Sequence, residues 1–338
     1  MRPAPFGRTV PRALEPVRLG IPLARGAYAS VEGAWIEGPR AEPRTAQARV
    51  LDRWSDGSVR WVLIDFLADH DGGGTPATYQ LHLERAASRS DRDPRVSVAE
   101  GGGTIVITAG GTRFELRRGG RCPFSRVAID DVEVLDTAKS GLFVEDVNGP
   151  RTVTILGLDV EERGPIRAVV QLVGRADGAS AGGTIDVFGR LHFHAGSPAV
   201  RAELTLRNPR RAAHPGGYWE LGDSNAMVLR DAAFVLAPPS GAAHVEIAAA
   251  VDLDAPLTSV RGPVELFQAS SGGANWNCRN HVAADGTVPM KFRGYRLRTA
   301  GAESTGLRAT PVMVLLAEQV QLAVAVPRFW QNFPKALE

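Results

Sequence analysis

Gln47-Ala-Arg-Val-Leu-Asp-Arg-Trp54, Ser55-Asp-Gly-Ser58 and Val59-Arg-Trp-Val-Leu-Ile-Asp-Phe66 follow one another without a break, two apolar runs joined across an Asp-Gly pair. Both residues of that pair tolerate positive φ, which a tight connection between antiparallel strands demands, so the stretch reads as a β-hairpin. Asp56 and Gly57 are the turn, and Arg60-Trp61 reads as structural, with Trp61 a core anchor. Working outward, Val17-Arg-Leu-Gly-Ile-Pro-Leu23 reads as a strand entering a Pro- and Gly-rich turn, and Thr78-Tyr-Gln-Leu-His-Leu83 as a further strand. The polar, unpatterned Ala86–Pro94 then reads as a linker.

Beyond it the same grammar continues. Strands are expected at 104–108, 127–135, 153–160, 166–173, 184–194, 199–206, 227–236, 264–269, 290–298 and 312–326, the last a strand pair interrupted by Glu318, Gln319 and Gln321. Glu162-Arg-Gly-Pro165 and Ala195-Gly-Ser-Pro198 turn two hairpins. Glycine (37) and proline (23) are frequent and no long stretch has helical period, so the chain is expected to be mostly β, with a large antiparallel sandwich in its second region. In 184–194 the alternation sets Ile185, Val187, Leu191 and Phe193 on one face and Asp186, Arg190, His192 and His194 on the other. The next strand repeats it, with Val200, Ala202, Leu204 and Leu206 against Arg201, Glu203, Thr205 and Arg207. The ionisable face is either an ordinary solvated surface or the polar floor of a carbohydrate cleft. His192 and His194 point the same way, but no third metal ligand accompanies them.

The 338 residues are enough for about two domains. The formal charge of +2 gives no broad electrostatic case for nucleic acid or a membrane. The N-terminus lacks the apolar core of a signal peptide, which favours a cytoplasmic location. Cys122 and Cys278 form neither a disulfide scaffold nor a metal motif. No cofactor is expected. Asp130, Asp131, Asp136, Glu145 and Asp146 have the chemistry of calcium ligands, but their spacing fits no calcium loop.

Two loop-like segments carry the functional signal. Ser270-Ser-Gly-Gly-Ala-Asn-Trp-Asn-Cys-Arg-Asn-His281 offers a ring to stack on a sugar and planar donors for hydroxyls and carboxylates. Its plain alternative is a surface turn bonding its own backbone. His214-Pro-Gly-Gly-Tyr-Trp-Glu-Leu-Gly-Asp223 offers a histidine that titrates near neutrality, a phenol and an indole. Here too a hydrogen-bonded turn is the alternative.

Trp54–Trp61, preceded by Arg18-Leu-Gly-Ile-Pro-Leu-Ala-Arg-Gly26, resembles the N-terminal barrel of the exo-rhamnogalacturonan lyase and YetA-like family, a barrel of the RIFT type. His214–Asp223, and Ser270–His281 with Gly294-Tyr-Arg296 after it, resemble that family's central β-sandwich. The resemblance implies a barrel domain at 1–90 and a sandwich domain at 95–338. In the family an α/α toroid follows, so a toroid domain or a partner chain is implied as a partner. The implied substrate is an oligo- or polysaccharide of the rhamnogalacturonan kind, cleaved by β-elimination at a uronic acid. The alternative is a non-catalytic carbohydrate-binding or scaffold fragment. Elimination needs a base for the C5 proton, a group that stabilises the enolate-like carboxylate and an acid for the departing O4. His214, Tyr218, Arg279 and His281 are the catalytic candidates. Trp219, Asp223, Asn275, Trp276, Asn280, Arg293 and Tyr295 are the substrate-binding candidates. Arg293 is an alternative to Arg279 as carboxylate neutraliser, because a guanidinium grips a carboxylate through two parallel bonds.

Overall fold

The computed structural model describes residues 11–70, 77–83, 93–178, 183–211, 225–239, 246–252, 255–260, 262–277, 290–317 and 320–338. Among them the chain is nearly all β, built from antiparallel sheets, and its one regular helical element is a single 3-10 turn at Trp330–Asn332. It packs into two compact units, each discontinuous in sequence: 1–133 with 151–207, and 134–150 with 208–338.

In the first unit, β1 (Arg12–Pro22), β2 (Trp35–Glu37), β3 (Pro43–Arg53), β4 (Val59–His70) and β5 (Gln80–His82) form one sheet in the order β1-β4-β3-β2-β5. It curls around Val31, Ala34, Ile36, Val59, Val62, Ile64, Phe66 and Leu83. The Asp-Gly hairpin is present between β3 and β4. The Trp54 amide bonds the Ser58 carbonyl at 2.8 Å, and Gly57 takes φ +86°. Asp56 closes the turn by accepting from the Ser58 amide (3.0 Å) and hydroxyl (2.6 Å), bonds that hold its carboxyl below the usual range. Trp61 corrects the expectation of a core anchor. Val62 and Ile64 face the core, so Trp61, Leu63 and Asp65 face outward, and Trp61 is 38% exposed with its ring edge over Gly20.

Four further hairpin strands follow, β6 (Ser97–Gly101), β7 (Thr104–Ala109), β8 (Thr112–Arg117) and β9 (Phe124–Ile129), with β10 (Val132–Glu133) at the edge. The single strand expected at 127–135 is instead broken by Asp130 and Asp131. Both have positive φ and turn the chain from β9 into β10. Strand β11 (Gly141–Asp146) belongs to the second unit. Strands β12 (Gly149–Arg163), β13 (Arg167–Asp177), β14 (Thr184–His194) and β15 (Val200–Arg207) form a meander in the first.

The two expected rows of β14 are confirmed. Ile185, Val187, Leu191 and Phe193 are buried in the core, and the opposite row is ionisable. That opposite face is not simply solvated, because one end of it packs against the outer face of the barrel. Arg167 is 4% exposed and pairs with Glu162 at 2.6 Å. Gln47 of β3 bonds Glu162 at 2.7 Å and accepts from the amides of Ile166 and Arg167. Arg18 of β1 lies 3.6 Å from both Asp65 and Glu162. A bulge between Val160 and Glu162 puts two consecutive glutamates to use, Glu161 with Arg190 and Glu162 with Arg167.

Burial, reinforced by Arg167, holds His194 down at about 4 and lowers His192 as well. Each is depressed below its unfolded value of about 6.5. Their contribution to stability is therefore complete above about pH 6.5 and is lost as pH falls toward 4. Burial raises Asp65 and works in the opposite sense at the acid end. The melting temperature is expected to fall between pH 6.5 and 4, and His194→Gln to flatten that fall. A scan whose slope is unchanged by the substitution contradicts the assignment.

In the second unit, β11 pairs with β16 (Leu229–Val235). Strands β17 (Glu246–Ala250), β18 (Thr258–Val260), β19 (Glu265–Gln268), β20 (Tyr295–Thr299), β21 (Ala302–Gly306), β22 (Val312–Ala317), β23 (Val320–Ala325) and β24 (Lys335–Leu337) follow. They make two four-stranded sheets, ordered β18-β17-β22-β23 and β21-β20-β19-β24. The expected strand pair at 312–326 is β22 and β23. Phe329 is fully buried with Val264, Leu266, Ala309 and Met313, and β24 pairs with β19, so this aromatic segment is packed into the unit.

Candidate functional site

The Ser270–Asn277 loop leaves the end of β19 and is shaped by buried polar groups. Gln268 and Ser270 are both fully buried. Gln268 Nε2 donates to the carbonyls of Ser270 (2.6 Å) and Leu307 (3.0 Å), and its Oε1 accepts from the Ala309 amide (3.1 Å). The Ser270 hydroxyl accepts from the Gly294 amide at 2.8 Å. These bonds tie the loop to the segment before β20 and to the one between β21 and β22. Glycine is required at both close approaches. Gly272 and Gly294 have φ +70° and +82°, and a Cβ on either would lie 2.0 Å from a carbonyl oxygen of Leu307 or Gly306.

Two exposed guanidinium groups are anchored on this loop. Arg293 donates Nε to the Gly272 carbonyl (3.1 Å), and Arg308 donates Nε to the Ser271 carbonyl (3.2 Å). Arg308 also lies over the half-buried Trp330 ring, 4.2 Å from its centroid. Each arginine spends its inner nitrogen on the backbone and keeps its terminal nitrogens for solvent or a ligand. Neither has an acidic partner at ion-pair distance among the described residues. A guanidinium fixed in this way is pre-oriented for a carboxylate or for sugar hydroxyls.

The substrate-binding candidates divide accordingly. Arg293 stands on the loop. Asn275 is exposed and Trp276 half-buried at its outer turn. Tyr295 begins β20, where its ring packs on the core of the unit and covers Gly306. His214, Tyr218, Trp219, Asp223, Arg279, Asn280 and His281 lie outside the described residues. The flanks of the His214–Asp223 stretch are joined, since Asn208 Nδ2 donates to the Asn225 carbonyl and Asn225 Nδ2 to the Arg211 carbonyl, each at 2.8 Å. Sequence reasoning missed Arg308. Its contacts come from Ser271, 37 residues earlier, and from Trp330, and no local pattern announces either.

Of the acidic residues weighed as calcium ligands, four stand in turns, Asp130 and Asp131 between β9 and β10, and Glu145 lies on β11 with Arg230 3.8 Å away. Asp136 caps the Ala138 and Lys139 amides, and Asp146 accepts from Asn148. No group of three or more histidine, cysteine, aspartate or glutamate side chains is placed to share a metal ion among the described residues. Cys122 is buried, and Cys278 lies outside the described residues.

A search of curated proteins finds no match for the chain. Residues 6–75, which cover the β1–β4 hairpins, match the family model of the PcRGLX-like N-terminal RIFT barrel domain. At the level of that one domain, the chain is similar to rhamnogalacturonan-lyase-like proteins.

Proposed function

We propose that the protein is carbohydrate-active and takes a uronate-containing glycan of the rhamnogalacturonan kind, cleaving it by β-elimination. The observation that carries this reading is the pair of guanidinium groups on the Ser270–Asn277 loop, backed by the buried Gln268 and Ser270 and bordered by Trp330. The barrel match at residues 6–75 supports the substrate class. In β-elimination, charge builds on the uronate carboxylate as the C5 proton leaves, and cations held beside it stabilise the transition state more than the ground state. Arg293 and Arg308 are suited to that task, with Arg279 a further candidate. His214 is proposed as the base and Tyr218 as the acid, with His281 the alternative base.

The test is absorbance of a new unsaturated uronate, with the chain and a panel of rhamnogalacturonan oligosaccharides, run with and without added calcium. A rising signal is expected. Arg293→Gln and Arg308→Gln are each expected to lower kcat/KM by about tenfold, the scale of one charge-assisted bond. Binding of the oligosaccharides without elimination assigns a non-catalytic carbohydrate-binding role. Neither binding nor cleavage, with the fold intact, removes the proposal.

A further inference from the structure

The outer face of the barrel, on the first unit, carries groups that the loop site does not use. Trp61, Leu63 and Asp65 stand in one row of β4. Trp61 lies over Gly20 of β1, and Arg49 of β3 is in register with Leu63. Arg18 and Gln47 flank Asp65. Beyond Arg18 comes His192, whose Nδ1 lies 2.7 Å from Arg167 Nη2. A guanidinium can only donate, so Nδ1 is the acceptor and the neutral ring carries its proton on Nε2. That Nε2–H is buried without a hydrogen-bond partner; Glu203 Oε1, at 3.6 Å, is too far to accept it well. Four residues separate Trp61 from Asp65, so the strip from the indole to the Arg18 end is about 13 Å long.

Charge decides what this strip fits. Around it stand Arg18, Arg49, Arg60, Arg167, Arg190 and Arg201, six cations, against Asp52, Asp65, Glu161, Glu162 and Glu203, five anions, with Asp52 taken by Arg60. Glu162 is taken by Arg167, Glu161 by Arg190 and Glu203 by Arg201. Arg49 is exposed and makes no ion pair among the described residues. An aromatic platform beside an exposed guanidinium that makes no close ion pair, with a second guanidinium next to it, has the parts that bind an acidic sugar chain.

We propose that this face is a second carbohydrate site, in which Trp61 stacks on one sugar ring and Arg49, with Arg18 beyond it, binds uronate carboxylates of the same chain. The inference rests on the carbohydrate reading above and assigns that reading a second location.

Calorimetric titration with tetragalacturonate, against its carboxyl-reduced counterpart, tests it. The loop site is first weakened by combining Arg293→Gln with Arg308→Gln. In that background tetragalacturonate is expected still to bind, and the reduced oligosaccharide to bind more weakly. Trp61→Ala or Arg49→Gln is then expected to weaken tetragalacturonate by about tenfold. Both side chains are exposed, so the fold is not at stake. Binding unaffected by either substitution, equal binding of the two oligosaccharides, or loss of all binding in the background variant overturns the second site. Each of those results leaves the carbohydrate reading standing. An unaltered chain that binds no oligosaccharide overturns both.

Discussion

Arg167→Ala is expected to cost about 3–5 kcal/mol of stability, read as a lower urea midpoint with intact strand signal by circular dichroism. The guanidinium is 4% exposed, bonded to Glu162 and to His192, and set against Arg18 and Asp65. Burial alone disfavours its charge, so its partners are what make the position tenable. Removing it leaves Glu162, itself largely buried, with only Gln47 and the more distant Arg18. A largely buried carboxylate left with only these weaker partners accounts for most of the expected loss. Arg167→Lys keeps a charge but not the planar fork, and an intermediate loss is expected. A second readout separates this account from simple loss of packing. Arg167 is one of the causes that depress His192, so the imidazole should titrate at higher pH in Arg167→Ala, still below the ordinary histidine range because burial persists. A loss under about 1 kcal/mol, or an unmoved His192 titration, would show that the network is not what holds the barrel to the meander.

That network also marks where reading the sequence stopped. The alternation of 184–194 assigned the core row of β14 correctly, but the same period in β15 did not, since Ala202 and Leu204 are exposed: period 2 gives two faces and leaves open whether either is covered. In β14 it left open whether the other row was solvated, since the answer depends on Gln47 and Arg18, more than 100 residues earlier. The bulge that turns both Glu161 and Glu162 to one face has no signature of its own in Val160-Glu-Glu-Arg163. Trp61 shows the same limit from the other side. Alternation in Val59–Phe66 gives two faces, and hydrophobicity alone favours burying the indole. The barrel core instead takes Val62, Ile64 and Phe66, leaving Trp61 outside with Asp65. The Asp56-Gly57 turn was legible because its requirement is local. At Asp130-Asp131 the same local tolerance of positive φ lies between two apolar runs that alternation alone joins into one strand. Of the candidate site, the Gly-rich loop and Arg293 were visible in the sequence. Arg308 was not, because tertiary contacts alone bring it to the loop.

Gln268→Leu is expected to cost about 4 kcal/mol and to abolish binding at the Ser270–Asn277 loop. Leucine fits the volume but satisfies none of the three bonds that the amide makes. Two of the stranded groups, the Ser270 carbonyl and the Ala309 amide, belong to fully buried residues, and each unsatisfied group costs about 1–3 kcal/mol. Leu307 is exposed, so water can take over at its carbonyl and adds less. The functional loss follows from the same bonds. Arg293 and Arg308 are aimed by the carbonyls of Gly272 and Ser271, and those carbonyls are placed by a loop start that Gln268 fixes. Binding should therefore fail well below the melting temperature, while Ser271→Ala, which removes only a hydroxyl bonded within the loop, leaves it nearly intact. Gln268→Glu sharpens the test. A carboxylate keeps an acceptor for the Ala309 amide but sets a negative charge against two carbonyl oxygens. Only its protonated form can donate to one of them, so this variant should be at least as unstable as Gln268→Leu at neutral pH and recover as pH falls. Recovery in that direction is opposite to the acid loss that the buried histidines impose on the first unit, so two transitions moving in opposite senses with pH would locate each effect in its own unit. A Gln268→Leu chain whose stability lies within about 1 kcal/mol of the parent, and which still binds the glycan after Trp61→Ala and Arg49→Gln have removed the barrel-face site, would show that the loop holds its shape without this amide.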